Sequence, residues 1–247
     1  YKKHEDTIQG YSKKVKPGDV CTLIYTSGTT GKPKGAMLTH NNICSNVKAA
    51  THHIYWDDKD TFLSFLPLCH SFERTAGYYA CISCGAEIYY AESVDTVSRN
   101  LPEVKPTVVI SVPRLFEKIF NVINKNVEAG SAFKQKIFKW ALNTGQKYVD
   151  GKRGLVSIQK SIADKLVFDK LKEKTGGRVR LFVSGGAALP PDIDTFFQCA
   201  GLPILQGYGL TETSPVMTAN RPGDLMGGMV GTGIPGVTDK CLGGAWA

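Results

Sequence analysis

Tyr25-Thr26-Ser27-Gly28-Thr29-Thr30-Gly31-Lys32-Pro33-Lys34-Gly35 follows an apolar run, Cys21-Thr22-Leu23-Ile24-Tyr25, and leads into Ala36-Met37-Leu38-Thr39-His40. The apolar run suits a short buried strand, because its residues fit a pleated surface. The segment after it packs four hydroxyl side chains, three glycines and two lysines into ten residues. Glycines let a backbone turn sharply and bring its N–H groups close to a ligand. Hydroxyls donate hydrogen bonds without charge, and lysines add positive charge. Together they make a cradle for an anion, and a polyphosphate is the anion that uses so many donors at once. The same composition also suits a flexible surface loop, so the order of residues has to decide. It is not a Walker A loop, since the position five after Gly28 holds Pro33 where that motif needs glycine.

At these residues the chain resembles the phosphate loop of the AMP-forming adenylating enzymes, which include acyl-CoA synthetases, luciferases and peptide-synthetase adenylation domains. The resemblance implies that Thr26, Ser27, Gly28, Thr29, Thr30, Gly31, Lys32 and Lys34 hold the phosphates of ATP. It also implies that Thr26 lies beside a Mg²⁺ ion and that Lys34 assists the chemistry.

A second informative stretch, Gly207-Tyr208-Gly209-Leu210-Thr211-Glu212-Thr213-Ser214-Pro215, follows the short strand Pro203-Ile204-Leu205-Gln206. Glycines flanking a tyrosine place a ring where a purine can stack. Thr211 offers a hydroxyl to a phosphate, and Glu212 offers a hard oxygen to Mg²⁺. A turn with a packed tyrosine is the plainer alternative. The stretch matches the family's Y-G-x-T-E element. That match implies Tyr208 on the adenine, with Gln206, Gly207 and Gly209 around the nucleotide, Thr211 on the α-phosphate and Glu212 on the metal. A third turn, Gly185-Gly186-Ala187, follows the strand Arg180-Leu181-Phe182-Val183-Ser184, and the resemblance sets it beside the adenine. Without the resemblance it reads as a tight strand-to-helix turn.

Leu66-Pro67-Leu68-Cys69-His70-Ser71-Phe72-Glu73-Arg74 and Val112-Pro113-Arg114-Leu115-Phe116-Glu117-Lys118 resemble the long-chain acyl-CoA synthetases in particular. A lone histidine after a strand is more often structural than catalytic. The resemblance implies that His70 lines the carboxylate and pantetheine side of the site.

The chain has 247 residues, 42% hydrophobic and 21% charged, ordinary values for a globular protein with a large core. It has no apolar run near the ~20 residues of a spanning helix and no signal-peptide pattern at its start. The first residue is Tyr1, so a piece of a longer protein is expected. Cys81-Ile82-Ser83-Cys84 has no second pair to complete a zinc site, and reduced core thiols in a cytoplasmic setting are the simplest reading. The net charge of +8 is uneven: residues 105–180 hold 17 Lys/Arg against 6 Asp/Glu, and the rest holds 13 against 16. Two helical segments, 131–149 and 157–175, carry much of this excess. They read either as surface helices of an α/β fold or as basic helices in peripheral contact with an anionic membrane. No nucleic-acid recognition motif accompanies the charge.

Strand-like runs at 21–25, 61–66, 85–90, 106–112, 180–184 and 203–206 alternate with helical segments, which predicts an α/β fold. Gly231-Thr232-Gly233-Ile234-Pro235-Gly236 formally fits G-x-G-x-x-G, but no apolar strand precedes it and it reads as a glycine-rich loop. The resemblance implies layered sheets belonging to the adenylating enzymes' large domain over residues 1–237. Residues 238–247 depart from the family pattern as a truncated or atypical tail, and the ribose-binding Asp and the lysine-bearing lid domain are not present. The implied activity is a long-chain fatty acid–CoA ligase using fatty acid, ATP, Mg²⁺ and coenzyme A, impaired or inactive in this piece alone. The alternatives are an adenylating enzyme for another carboxylic acid and a nucleotide-binding fragment without turnover.

Overall fold

The computed structural model describes residues 4–27, 31–225 and 227–237. A polar helix, α1 (Glu5–Ser12), buries none of its residues. Lys16, Pro17, Gly18 and Asp19 then turn the chain, with the Asp19 carboxylate accepting the Lys16 N–H at 2.8 Å. β1 (Val20–Thr26) and β2 (Lys34–Thr39) form an antiparallel hairpin whose last pair is Thr26 with Lys34. The two strands therefore flank the predicted phosphate loop and fix its described ends at Thr26 and Lys34. Thr39 caps α2 (His40–Ile54): its hydroxyl accepts from Asn42 N at 3.1 Å, and the Asn42 side chain accepts from Thr39 N at 3.0 Å.

β3 (Thr61–Ser64) starts the main sheet. A π-helical turn, Glu73–Tyr79, runs into α3 (Ala80–Cys84) and then β4 (Glu87–Tyr90). The segment expected as an apolar helix thus begins underwound, with hydrogen bonds that reach one residue further than in an α-helix. The reason is local. The Glu73 carboxyl folds back over Gly77, where a Cβ would come within 2.5 Å of it, and it accepts the Ser64 hydroxyl at 2.5 Å.

α4 (Val97–Val104), β5 (Val108–Ser111), α5 (Pro113–Glu128), α6 (Ala132–Val149) and α7 (Leu155–Ala163) follow. A second π-turn, Asp164–Phe168, joins α7 to α8 (Asp169–Lys174). The chain continues through β6 (Leu181–Ser184), α9 (Pro191–Cys199), β7 (Ile204–Gly209), β8 (Val216–Ala219) and β9 (Thr232–Gly233). The glycine-rich 231–236 segment forms β9 and a turn, and β9 pairs antiparallel with β8.

The sheet runs β4-β3-β5-β6-β7-β8-β9. Its first five strands are parallel, and β8 and β9 are antiparallel. A parallel sheet is covered on both faces, so each strand reads as an unbroken apolar run. Phe62, Val108, Ile110, Val183 and Leu205 point to one face, where α2 contributes Ile43, Val47 and Ile54. Their neighbours Leu63, Val109, Phe182 and Ile204 point to the other, under Phe116, Phe138, Phe196 and Phe197 of α5, α6 and α9. Cys81 and Cys199 are buried free thiols, and burial pushes both up from the ordinary range. No described helix is long and apolar enough to cross a membrane.

Candidate active site

From β3 the chain crosses to β4 on one side and then returns to β5 on the other. Such a reversal opens a crevice at the carboxyl ends of parallel strands. A cavity of about 420 Å³ lies at the carboxyl ends of β3, β6 and β7. Its walls come from the segment after β3 (His70, Ser71, Phe72), the turn after β6 (Gly185, Gly186) and the end of β7 with the turn beyond it (Gly207 to Glu212). The base of the β1–β2 hairpin adds Thr26, Ser27 and Lys34.

Hydrogen bonds hold the walls in place. The Thr26 hydroxyl donates to the Lys34 carbonyl at 3.4 Å, which closes the base of the hairpin loop. The Arg74 guanidinium, on the π-turn, donates to the Thr22 hydroxyl at 3.3 Å and the Tyr79 hydroxyl at 3.1 Å, fastening the hairpin to the main sheet's helical layer. Thr211–Thr213 forms a short 3₁₀ turn in which the Thr213 hydroxyl accepts the Leu210 N–H at 2.9 Å and donates to the Pro215 carbonyl at 2.6 Å. Asn46 of α2, buried, clamps the segment beyond: its Nδ2 donates to the Val216 carbonyl at 2.7 Å, and its Oδ1 accepts the Val216 N–H at 3.2 Å.

Two of the glycines are set by close approach. A Cβ on Gly185 would lie 2.9 Å from Cζ of the Phe72 ring, so ring and backbone lie flat together only without one. A Cβ on Gly209 would meet the Pro215 carbonyl oxygen at 1.8 Å, where β7 and β8 lose register.

The walls carry both polar and apolar groups. Ser71 and Thr211 hydroxyls are 3.1 Å apart. The Phe72 N–H donates to His70 Nδ1 at 3.2 Å, so Nδ1 carries the lone pair and a neutral ring bears its hydrogen on Nε2. Lys34 supplies positive charge, and Glu212 a carboxylate. Ile54, Trp56, Ala76 and Val183 supply the apolar lining. Thr26 and Glu212 offer a hydroxyl and a carboxylate oxygen on one cavity, a hard-oxygen set of the kind Mg²⁺ uses alongside phosphate and water. Among the described residues no group of three or more His, Cys, Asp or Glu forms a metal cage.

Of the residues singled out in the sequence, Thr26, Ser27, Lys34, His70, Gly185, Gly186, Gly207, Tyr208, Gly209, Thr211 and Glu212 line this single cavity. Gly28, Thr29 and Thr30 lie outside the described residues. Gly31, Lys32 and Ala187 are exposed and do not line it. Gln206 is turned the other way: its side chain donates to Asp194 at 3.1 Å in the core beneath β7. Sequence reasoning missed Ser71, Phe72 and Asn46. Ser71 and Phe72 were within the quoted motif beside His70, whereas nothing in the pattern of α2 marks Asn46.

The model of the AMP-binding enzymes matches residues 2–242 of the chain. Long chain acyl-CoA synthetase 7, peroxisomal, of Arabidopsis thaliana is 38% identical over 231 residues, covering 92% of this chain and 32% of that protein. Long-chain-fatty-acid–CoA ligase FadD15 of Mycobacterium tuberculosis is 38% identical over 228 residues, covering 88% of this chain and 37% of its own length. The chain thus spans about a third of the curated relatives it matches. ATP-bound MatB of Rhodopseudomonas palustris, at 24% identity and a TM-score of 0.62 over 90% of this chain and 35% of its own, shares the fold. So does a long-chain-fatty-acid-CoA ligase (FadD1) of Archaeoglobus fulgidus, at 21% identity and a TM-score of 0.63 over 89% of this chain and 37% of its own. With a matched model across nearly its whole length and an α/β sheet of the same architecture, the chain belongs to the AMP-binding enzyme family.

Proposed function

We propose that the cavity binds ATP and a fatty acid, and that the protein of which these residues form the nucleotide site is a long-chain fatty acid–CoA ligase. The carboxylate attacks the α-phosphorus, a P–O bond forms to the acyl oxygen, and pyrophosphate leaves with the electron pair of the broken P–O bond. The CoA thiol then attacks the acyl carbon and AMP leaves. The observation that carries this reading is the meeting of three sequence-distant turns on one cavity, with Lys34, Thr211 and Glu212 on its walls. Relatives named long-chain acyl-CoA synthetases support the substrate class.

In this reading the tip of the β1–β2 hairpin holds the β- and γ-phosphates, with Lys34 countering their charge. The Thr211 hydroxyl, oriented by Ser71, donates to the α-phosphate. Tyr208 packs on the adenine along the bare backbone of Gly185 and Gly186. His70 presents its Nε2 hydrogen to the carboxylate side. Glu212 and Thr26 would hold Mg²⁺, which when bound neutralises the pyrophosphate leaving group. A cytoplasmic setting belongs to the same proposal.

The test is pyrophosphate release measured with palmitate and with acetate. Release with palmitate alone supports the long-chain reading. Release with a different carboxylic acid alone moves the protein to another adenylating specificity. ATP binding without acyl-AMP under any acid leaves a nucleotide-binding role.

A further inference from the structure

A second cavity, about 360 Å³, lies on the opposite face of the sheet, among α5, α6, α8 and the Asp164–Phe168 turn. No residue lines both cavities. Its floor is aromatic and aliphatic: Phe138, Phe168, Leu171 and Phe196, all buried. At its mouth stand Phe133 and Leu166, 72% and 52% exposed. Large apolar side chains left in water at the rim of an apolar cavity mark a binding surface more often than a structural one.

The charges around it have one sign. Every charged residue on the wall is a lysine: Lys134, Lys170 and Lys174. Among the described residues none of the three takes part in an ion pair. Of the acids on the neighbouring turns, Glu173 beside Lys174 is exposed and lines no part of the cavity, and the two aspartates are engaged elsewhere. Asp164 is held by Lys160 at 2.5 Å and Lys172 at 3.6 Å, and Asp169 by Lys172 at 3.5 Å. A solvated helix face would explain lysines alone. It does not explain lysines around a cavity floored by three phenylalanines.

An outer stripe on α7, Leu155, Ile158 and Ile162, is also exposed, and with Leu166 it leads to the cavity mouth at spacings of three and four residues. Helical residues at these spacings share one face. This apolar row is turned away from the core.

We propose that this cavity is a binding site for a single-chain anionic amphiphile: an aliphatic chain among the rings, its head group on the three lysines. The proposal rests on the lining of the second cavity and is independent of the ligase reading. The chain can arrive as a free anion or from a bilayer on which the α7 stripe lies.

The probe is dodecanoate carrying a photoreactive diazirine near its chain terminus, irradiated with the full chain and mapped by peptide mass spectrometry. Saturable labelling is expected in the 133–138 and 166–171 peptides. Charge reversal by K134E, K170E and K174E together is expected to reduce it by about tenfold, since three attractive contacts become repulsive. These lysines are exposed, so the variant should keep the parent's thermal midpoint. Lys118→Glu on α5, away from the cavity wall, is expected to leave labelling unchanged. Labelling by the monomeric acid assigns the free anion as the source. Labelling only in phosphatidylglycerol vesicles, with the protein co-sedimenting, assigns the bilayer. Label confined to peptides of the nucleotide cavity, undiminished label in the triple variant, or equal label from the uncharged alcohol overturns the proposal.

Discussion

Glu73 is a carboxyl held in surroundings that disfavour its charge. It is 1% exposed, one oxygen takes the Ser64 hydroxyl, and the other has no partner. Burial pushes its carboxyl up to about 7, against the opposing effect of the Ser64 hydrogen bond. A carboxyl whose folded value is raised favours folding most below its unfolded value of 4.5, and that favour is lost as pH rises through about 7. The parent chain should therefore lose on the order of 3 kcal/mol relative to Glu73→Gln between acidic pH and about pH 8, in paired urea melts. A constant difference across that range would show that Glu73 titrates alike in the folded and the unfolded chain. The neighbouring residue gives a steric prediction. Gly185→Ala puts a methyl 2.9 Å from the Phe72 ring. The ring has to shift into the cavity, at roughly 1–3 kcal/mol of overpacking strain. Thermal melts should fall accordingly, and ATP should bind more weakly in calorimetry.

At the scale of elements, the site depends on side chains of α2 that do not line it as well as on Ala50 and Ile54 of the same helix, which do. α2 enters the core through Ile43, Val47 and Ile54, and from its buried side Asn46 grips both the N–H and C=O of Val216. His53, two turns further along the same face, reaches Ala219 O at 2.9 Å through Nε2. The helix thus fixes β8, and β8 fixes the Thr211–Thr213 turn through the Asn46 and Thr213 hydrogen bonds. Asn46→Ala leaves two buried backbone groups unpaired, which should cost about 1–3 kcal/mol in denaturant melts. It should also slow pyrophosphate release with little change in ATP affinity if the turn serves the reacting phosphate. An unchanged rate would separate α2 from the chemistry. The π-turn at Glu73–Tyr79 shows how far element identity was readable. Its small apolar residues predict a helix, but the extra residue per turn comes from the Glu73–Gly77 contact and the Ser64 bond across from β3. β2 was not evident in the pattern because its burial is broken: only Leu38 is buried in Lys34–Thr39.

For the whole molecule, stability resides in the aromatic layer on the α5–α9 face. Phe197 is fully buried and packs edge-to-face on Phe116 at 5.5 Å, Phe182 at 5.9 Å and Phe196 at 5.4 Å. Phe197→Ala should cost about 3–5 kcal/mol, seen as a lower urea midpoint. Neither cavity borders Phe197, so residual folded protein should bind ATP as the parent does. This layer separates two surfaces of different chemistry: the glycine- and hydroxyl-lined cavity lies at the strand ends, and the lysine-rimmed cavity lies among the outer helices. The basic excess in residues 105–180 was visible as a count, but only the packing of α5, α6 and α8 divides it. Lys160 and Lys172 neutralise acids, while Lys134, Lys170 and Lys174 are left around an apolar hollow.

The sequence by itself determined the kind of fold and the sites of its turns. Strand runs such as Val108 to Ser111 are apolar at every position because a parallel sheet is covered on both faces. Glycine and hydroxyl turns declare themselves because few other residues tolerate close backbone approach. What the tertiary structure alone decided is which side chains face one another. Gln206 and Tyr208 lie on one strand, yet Gln206 bonds Asp194 in the core and Tyr208 lines the cavity. Ser71 meets Thr211 across 140 residues, and Asn46 meets Val216 across 170. Such pairings depend on how a twisted sheet brings distant strand ends together, and short-range pattern carries no record of that distance.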